Sequence, residues 1–511
     1  MLKQSLINVE KNCPRKIRDK EHSAEQNLTK CPFLREEDEN EFLECHLEKL
    51  SSGGSKVRGD NCDTRLNMLT DENQLTEIFF SGVKSQDELT QKRVGVEFEK
   101  LPVSKKDFSA APYFQVAKIL QSLKSKSNDW QGIISENNAI LGLLGKNGTV
   151  TLEPGSQTEI SLYPSDSIDK ISAVINSYNK FTSDIAKDQG VLFLGYGIQP
   201  VSTYKNISII PKKRYEYMTK YLPTVAKKPL IMMRETAGIQ ASFDYSNEQD
   251  AMKKFATALK LSPIISAVYS NSPIRNGRLT KYKSNRAASW LDTDNDRCGL
   301  VSAKVFSGEF SFAQYTQILL DVPMIFIERE INGVNTAIKV NNLTFRQFMK
   351  QGYEGFFAQK NDWETHLSLY FTDVRLKSYI EIRNHDNQRS NLICSVPAFW
   401  KGIIYNESAL DAVNDVLKRF TYFDFEYIRR KAPKHGLDMK IKHLSLADLA
   451  KEIVDISYQS LKSFNQGEEK YLEPIKTFVD KKITPADVLI DKWNNEWNGQ
   501  LSELVKYSEL S

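Results

Sequence analysis

Val94-Gly-Val-Glu97-Phe-Glu99-Lys100 sets two carboxylates two residues apart between apolar neighbours. In an extended strand, residues two apart share a face, so Glu97 and Glu99 point one way and Val96 and Phe98 the other. The same alternation recurs in Thr149-Val-Thr-Leu-Glu153, in Glu159-Ile-Ser-Leu162 and in Tyr379-Ile-Glu381-Ile-Arg383. Pro154-Gly155 forces a turn, so Glu153 ends one strand and Glu159 begins the next. Gln240-Ala-Ser242-Phe-Asp244 adds an amide, a hydroxyl and a carboxylate on one face of a further strand. One such strand is an ordinary solvated strand. Several predict a sheet whose charged face is a binding site, and crowded carboxylates with hard oxygen ligands call for magnesium, or else manganese. The bland alternative is a two-layer protein with one solvated sheet face.

Composition narrows the classes. The 511 residues carry ordinary apolar and charged fractions, enough for a large core, and a formal net charge of only +4. No basic run interleaved with aromatics argues for nucleic acid. No stretch approaches the roughly 20 apolar residues of a membrane span, and the first residues lack the apolar run of a secretory signal. Six cysteines at irregular spacings, with no CxxC, fit a reduced protein, so the expected location is the cytoplasm.

Three regions follow from texture. Residues 1–75 are polar, with a Ser51-Ser-Gly-Gly-Ser55 linker signal, and read as a flexible extension. Cys13, Cys31, Cys45 and Cys62 lie there with His22 and His46, at gaps that match no zinc spacing. Residues 76–445 alternate strand and helix and form the expected catalytic domain. One helix starts after Pro164, capped by Ser165 or Asp166, with its stripe on Ile168, Ile171, Ile175, Tyr178 and Ile185. Val191–Gly197 reads as a buried strand, and a second helix carries Met252, Phe255 and Leu259 and ends before Pro263. Residues 446–511 form a helical segment packed on the catalytic domain. Ser445 and Thr484-Pro485 open its helices, and Trp493 and Trp497 serve packing.

Several chemical templates fail. Asp292-Thr-Asp294-Asn-Asp296-Arg297 begins like a calcium loop but has Arg297 and Ala303 where glycine and glutamate are required. A polar loop carrying Arg297 to a substrate carboxylate fits better. There is no phosphate-binding or dinucleotide-binding glycine motif and no nucleophile elbow. His366 and His385 lack zinc-helix spacing, and Cys298 and Cys394 lack a neighbouring histidine in sequence that would make a thiol nucleophile.

VGVEFEK, LEPGSQTEIS, FLGYGIQP, MMRETAGIQASFDY, NSPI, SNRAASWLDTDNDRCG, DVPM, TFRQFM, NDWETHLSLYF, VRLKSYIEIR and VPAFWKGIIY occur in that order. Together they resemble the plant and proteobacterial type of glutamate–cysteine ligase, from about residue 90 to past 400. The resemblance implies an α+β fold shared with glutamine synthetase, an antiparallel sheet forming a funnel-like active site with surrounding helices. It implies ATP-dependent ligation of the glutamate γ-carboxylate to the amine of cysteine, the first step of glutathione synthesis, with Mg2+ (or Mn2+). By likeness, Glu97, Glu99, Glu153, Glu159 and Glu381 hold metal, and Gln240 is on the metal or phosphate side. Arg297 grips the glutamate α-carboxylate, and Arg383 faces the transferred phosphoryl group. Arg234 is the substrate-binding counterpart of a plant arginine, displaced by one residue because Glu235-Thr-Ala-Gly238 replaces an Arg-Thr-Cys-Thr-like run. The expected partners are glutamate, cysteine and ATP, with no nucleic acid or membrane, in a monomer or weak homodimer. The alternatives are another acceptor or pathway, such as an ergothioneine-linked one, and a binding-only descendant. The intact glutamate set argues against the latter.

Overall fold

The alternating strands assemble into one antiparallel sheet. The computed structural model describes residues 68–136, 138–331 and 334–511. Its nine-stranded sheet comprises β1 (Val94–Ser104), β2 (Trp130–Glu136), β3 (Ala139–Gly145), β4 (Gly148–Leu152), β5 (Thr158–Ser165), β6 (Val191–Leu194), β7 (Gly238–Phe243), β8 (Val374–Leu376) and β9 (Ile380–Asp386). The strand order is β8-β9-β7-β1-β5-β4-β3-β2, and β6 pairs with the second half of β1. The architecture is α+β.

Alternation decides which face is core. Val94, Val96 and Phe98 of β1, Ile160 and Leu162 of β5, Ile239, Ala241 and Phe243 of β7, and Ile380 and Ile382 of β9 join one buried cluster. Helices cover that face. The helices include α1 (Asn73–Phe80), α2 (Ile168–Asp188), α3 (Glu248–Val268), α4 (Asn285–Trp290), α5 (Ser395–Ile404), α6 (Tyr422–His435) and α7 (Leu446–Ser463). Every residue of α5 is buried, between β7 and α7. Lys100 also faces inward, fully buried, with Nζ bonded to Thr182 Oγ1 (2.5 Å) and 3.8 Å from the Tyr178 ring centre. Burial holds its pKa well below the usual lysine value.

One break in the pattern matters later. Ile382 pairs with Ala241 but His385 pairs with Ile239, so β9 carries one residue more than β7 across this step. This β-bulge at Arg383–Asn384 lies on the β7 edge, while on the other edge the Arg383 N–H continues the β8 ladder to the Asp373 carbonyl at 3.0 Å.

Several expectations are corrected. The cap of α2 is Ser167, which accepts from Lys170 N–H, rather than Ser165 or Asp166, because β5 extends through Ser165. Helix α3 runs through Pro263 to Val268 instead of stopping before it. Its residues are buried almost all round, and packing carries it across the missing hydrogen bond. The strand expected over 191–197 is regular only over Val191–Leu194. Packed chain begins earlier than residue 76: Leu69 N–H bonds the Ala358 carbonyl at 2.8 Å, and Leu75 in α1 is fully buried. The four-cysteine reading lies outside the described residues. Trp493 and Trp497 are packed in a small cluster, in a π turn after the Pro485–Asp491 helix and just beyond it. No helix among the described residues is long and apolar enough to cross a membrane.

The C-terminal segment is locked to the sheet domain by a buried charge. Lys401 on α5 and Glu468 pair at 2.6 Å, with side chains 0% and 2% exposed. Glu468 also accepts from Ile168 N–H at 2.7 Å, at the start of α2. Glu468→Ala leaves an uncompensated ammonium in the core, and urea unfolding should show a loss of roughly 3–5 kcal/mol. A loss below about 1 kcal/mol would show that Lys401 finds water or another partner instead.

Candidate active site

Strand register builds the site as three cross-strand rows on the polar face. Arg375 of β8 lies opposite Glu381 of β9, which lies opposite Ser242 of β7. The next row is Gln240 of β7, Glu97 of β1 and Ser161 of β5. The third is Glu99 of β1, Glu159 of β5 and Thr151 of β4. Glu153 follows β4 by one residue, in the Pro154-Gly155 turn, and accepts from the Tyr215 hydroxyl at 3.2 Å. Antiparallel pairing thus brings together the five glutamates and Gln240 from four strands and a turn.

The glutamates fall into two electrostatic classes. Glu381 is 1% exposed and surrounded by cations: Arg375 at 2.7 Å, Arg383 at 2.9 Å and Lys377 at 3.5 Å. Burial alone would raise its pKa, but these three charges hold it well below the usual carboxylate range. Glu97, Glu99, Glu153 and Glu159 form no salt bridge among the described residues. Burial raises Glu97, and Glu381 adds to it, against Lys377, Arg383 and Arg375. Burial and then Glu153 push Glu99 to about 7, although the Gly238 N–H donates to it and Arg286 opposes the shift. Glu159 is raised well above the ordinary range, by burial and by Glu97, Glu153 and Glu99. Its polar contacts, to Thr151 Oγ1, Ser161 Oγ and Gln240 Nε2, are all long at 3.5 Å.

Arg383 links the two classes. Its Nη1 donates to Gln240 Oε1 at 2.7 Å and to Glu381 Oε2 at 2.9 Å. Lys377 lies at the turn between β8 and β9, donating to the Tyr379 hydroxyl at 3.0 Å, and burial followed by Arg375 lowers its pKa to about 8.

These observations test the metal expectation. Among the described residues, no three His, Cys, Asp or Glu side chains converge to cage an ion. Magnesium seldom uses such cages: it keeps waters and binds through one or two carboxylates plus substrate phosphates. Glu97, Glu99, Glu153 and Glu159, crowded and without a salt bridge among the described residues, suit that mode. Glu381 does not, because both its oxygens already face cations.

The two other arginines sit differently from the sequence reading. Arg297 is not on an open loop but 1% exposed. Its guanidinium is held by Asp294 (2.6 Å), the Pro323 carbonyl (2.7 Å) and the Tyr221 hydroxyl (3.3 Å), and only Nη1 lacks a partner. Arg234 donates to the carbonyls of Tyr204 and Ile207, both at 3.1 Å, and clamps that loop. Glu235 beside it is fully buried in a bidentate pair with Arg275. His366 and His385 are packed histidines, bonded to the carbonyls of Leu319 and Ile239. Burial pushes the Cys298 and Cys394 thiols up to about 12 and about 11, which removes a thiolate nucleophile.

Sequence reasoning missed Arg375, Lys377, Arg286 and Tyr215. The first two had a signal, since Val374-Arg375-Leu376-Lys377 alternates as the glutamate strands do, with the opposite charge.

The model of glutamate–cysteine ligase family 2 (GCS2) matches residues 93–507. The chloroplastic glutamate–cysteine ligase B of Oryza sativa subsp. japonica is 35% identical over 408 residues, covering 79% of this chain and 81% of that protein. The chloroplastic glutamate–cysteine ligase of Nicotiana tabacum is 34% identical over 420 residues, covering 82% and 78%. A solved glutamate–cysteine ligase of Francisella tularensis, in complex with AMP, superposes with a TM-score of 0.48 at 15% identity over 81% of this chain and 87% of that one. At that level the likeness carries no information on activity.

The charge imbalance has a pH signature. Glu99 titrates near 7 when folded, against about 4.5 unfolded, so between those values the folded chain holds a proton that the unfolded chain has released. Its contribution favours folding below about 4.5 and is lost as pH rises through about 7. Glu381 has the opposite sign and loses its contribution only under acid conditions. Chelator-treated protein should therefore melt lower at about pH 8 than at about pH 5.5, and Glu99→Gln should flatten that slope. An equally steep slope in the variant would place the titration elsewhere.

Proposed function

Because the chain belongs to glutamate–cysteine ligase family 2, we propose that it couples the γ-carboxylate of glutamate to the amine of cysteine using ATP, the opening step of glutathione synthesis. The observation that carries this reading is the contrast on one sheet face. Four glutamates make no salt bridge among the described residues, while Arg383 is held by Gln240 and Glu381 beside them.

A carboxylate is a poor electrophile. An oxygen of the γ-carboxylate attacks the terminal phosphorus of ATP, ADP leaves, and a γ-glutamyl phosphate forms. The amine of cysteine then attacks the acyl carbon, loses a proton and displaces inorganic phosphate. Magnesium ions, each held by one or two of Glu97, Glu99, Glu153 and Glu159, would supply positive charge against the polyphosphate. Arg383 supports the transferring phosphoryl group, and Glu381 positions Arg383. Glu381 thus orients a catalytic cation, rather than serving as the metal ligand the sequence reading made it. Gln240 bridges Arg383 and Glu159. No protein nucleophile is required, in agreement with the inert cysteines.

Two measurements test the reading. Phosphate release from ATP should require both glutamate and cysteine, with a product mass of γ-glutamylcysteine. Release with a different amine would keep the chemistry and change the acceptor, and no release with any amine would end the ligase reading. Arg383→Ala should lower kcat by about 100-fold or more while the KM for ATP moves only a few-fold. A change confined to KM would make Arg383 a binding residue only.

A further inference from the structure

Helix α6 turns its two faces to different surroundings. Phe425, Ile428, Ala432 and Pro433 are buried, and Arg429 beside them pairs with Asp373 at 3.2 Å. With Arg286, Arg383 and Asn384, Arg429 lines a cavity of about 480 Å³, its open mouth included, behind Arg383. The opposite face stands in solvent. Phe423 is 78% exposed, more than any other large apolar side chain among the described residues, and Tyr427 one turn on is 46% exposed. Arg430, Lys431 and Lys434 continue that stripe at helical spacing, and all three are exposed. Arg430 shares Glu426 with Arg429. Lys431 and Lys434 form no salt bridge among the described residues, and the Lys431 ammonium lies 6.0 Å from the Tyr427 ring centre. Bare aromatic rings and unneutralised cations on one helix face mark an interaction surface, and its complement is acidic with apolar side chains between the acids.

One stretch of this same chain has that chemistry. Seven of the thirteen residues Glu36–Glu48 are acidic, none is lysine or arginine, and Phe42, Leu43 and Leu47 stand among them. The stretch precedes the described residues, which begin at Met68, where the chain pairs with Gln359. We propose that residues 36–48 dock on the outward face of α6, with their carboxylates on Arg430, Lys431 and Lys434 and their apolar side chains on Phe423 and Tyr427. Reach allows it. Met68 is twenty residues beyond Glu48, a span of up to about 65 Å when extended. A folded body of this size has a radius of gyration of only about 22 Å. Tethering favours this occupant over others. A segment on so short a tether is present at on the order of a millimolar, so a contact with a Kd of about 100 µM is occupied about ten to one. An anionic bilayer or a second copy offers the same charge but must displace the tethered segment. The docking stands apart from the ligase reading, and it braces from outside the helix that walls the space behind Arg383.

Hydroxyl-radical footprinting of the full chain at low concentration tests this, with Phe114 as internal reference, since it is 60% exposed on another helix. Phe423 should oxidise about tenfold more slowly than Phe114, in line with the occupancy above. The double variant Leu43→Asp/Leu47→Asp should bring Phe423 up to the rate of Phe114 and leave Phe114 unchanged. Zero-length carbodiimide cross-linking supplies a second readout. It should join Lys431 or Lys434 to carboxylates of residues 36–48, and within single chains when isotopically labelled and unlabelled protein are mixed. Phe423 oxidising as fast as Phe114 in the parent overturns the docking, as does protection that survives the double variant. Cross-links between labelled and unlabelled chains replace the tethered segment by that of a second copy. Protection that appears only with phosphatidylserine vesicles assigns the face to a lipid surface instead. If the double variant does not fold, the parent's oxidation ratio and cross-links decide.

Discussion

Like charges crowded on a half-buried sheet face set the terms for everything around them. Antiparallel register forces Glu97, Glu99 and Glu159 into adjacent rows, and no side-chain rotation can move them to the core face without unpairing β1. The chain neutralises one end of this face and leaves the other open. Arg375, Lys377 and Arg383 settle Glu381, and the same arginine then reaches Gln240. Glu97, Glu99 and Glu159 are raised by burial first and by neighbouring carboxylates second. An electrostatic gradient therefore crosses the sheet, from a satisfied cationic edge at β8 to an unsatisfied acidic middle at β1 and β5. Polyphosphate with a divalent cation fits such a gradient, since it carries both signs.

Much of this was legible because strand geometry has the shortest period a sequence can carry. Two residues of alternation placed Glu97 and Glu99 together, and Pro154-Gly155 placed Glu153 near Glu159 without tertiary information. What failed was of another kind. Alternation made Arg383 a simple face-mate of Glu381. The bulge that positions its backbone depends on pairing with β7 and leaves no composition cue. Arg297 read as a loop residue because its neighbours are polar, yet Asp294, three residues away, folds the polar run onto itself and buries it. Pro263 read as a stop because propensity is local and the packing that overrides it is not.

The cavity behind Arg383 shows why the helix layer matters to a reaction on the sheet. Its lining comes from α3, α4 and α6 as well as β9, elements spread over residues 248–435. Arg286 faces Glu99 electrostatically and bonds the Arg383 carbonyl, so one side chain belongs to both regions. The cavity and the sheet face then share a support, and a change in either would be felt in both.

The single extra residue in β9 has a consequence for heredity. At an ordinary sheet position, exchanging a codon changes a side chain and leaves the pairing register in place. At Arg383–Asn384 the count of residues, and not only their kind, carries information, because His385 and Asp386 beyond the bulge are fully buried and bonded into the centre of the protein. Losing one codon there would straighten the strand and turn both inward residues through half a pleat. Descendants of this gene can drift in sequence along β9 far more freely than they can drift in length.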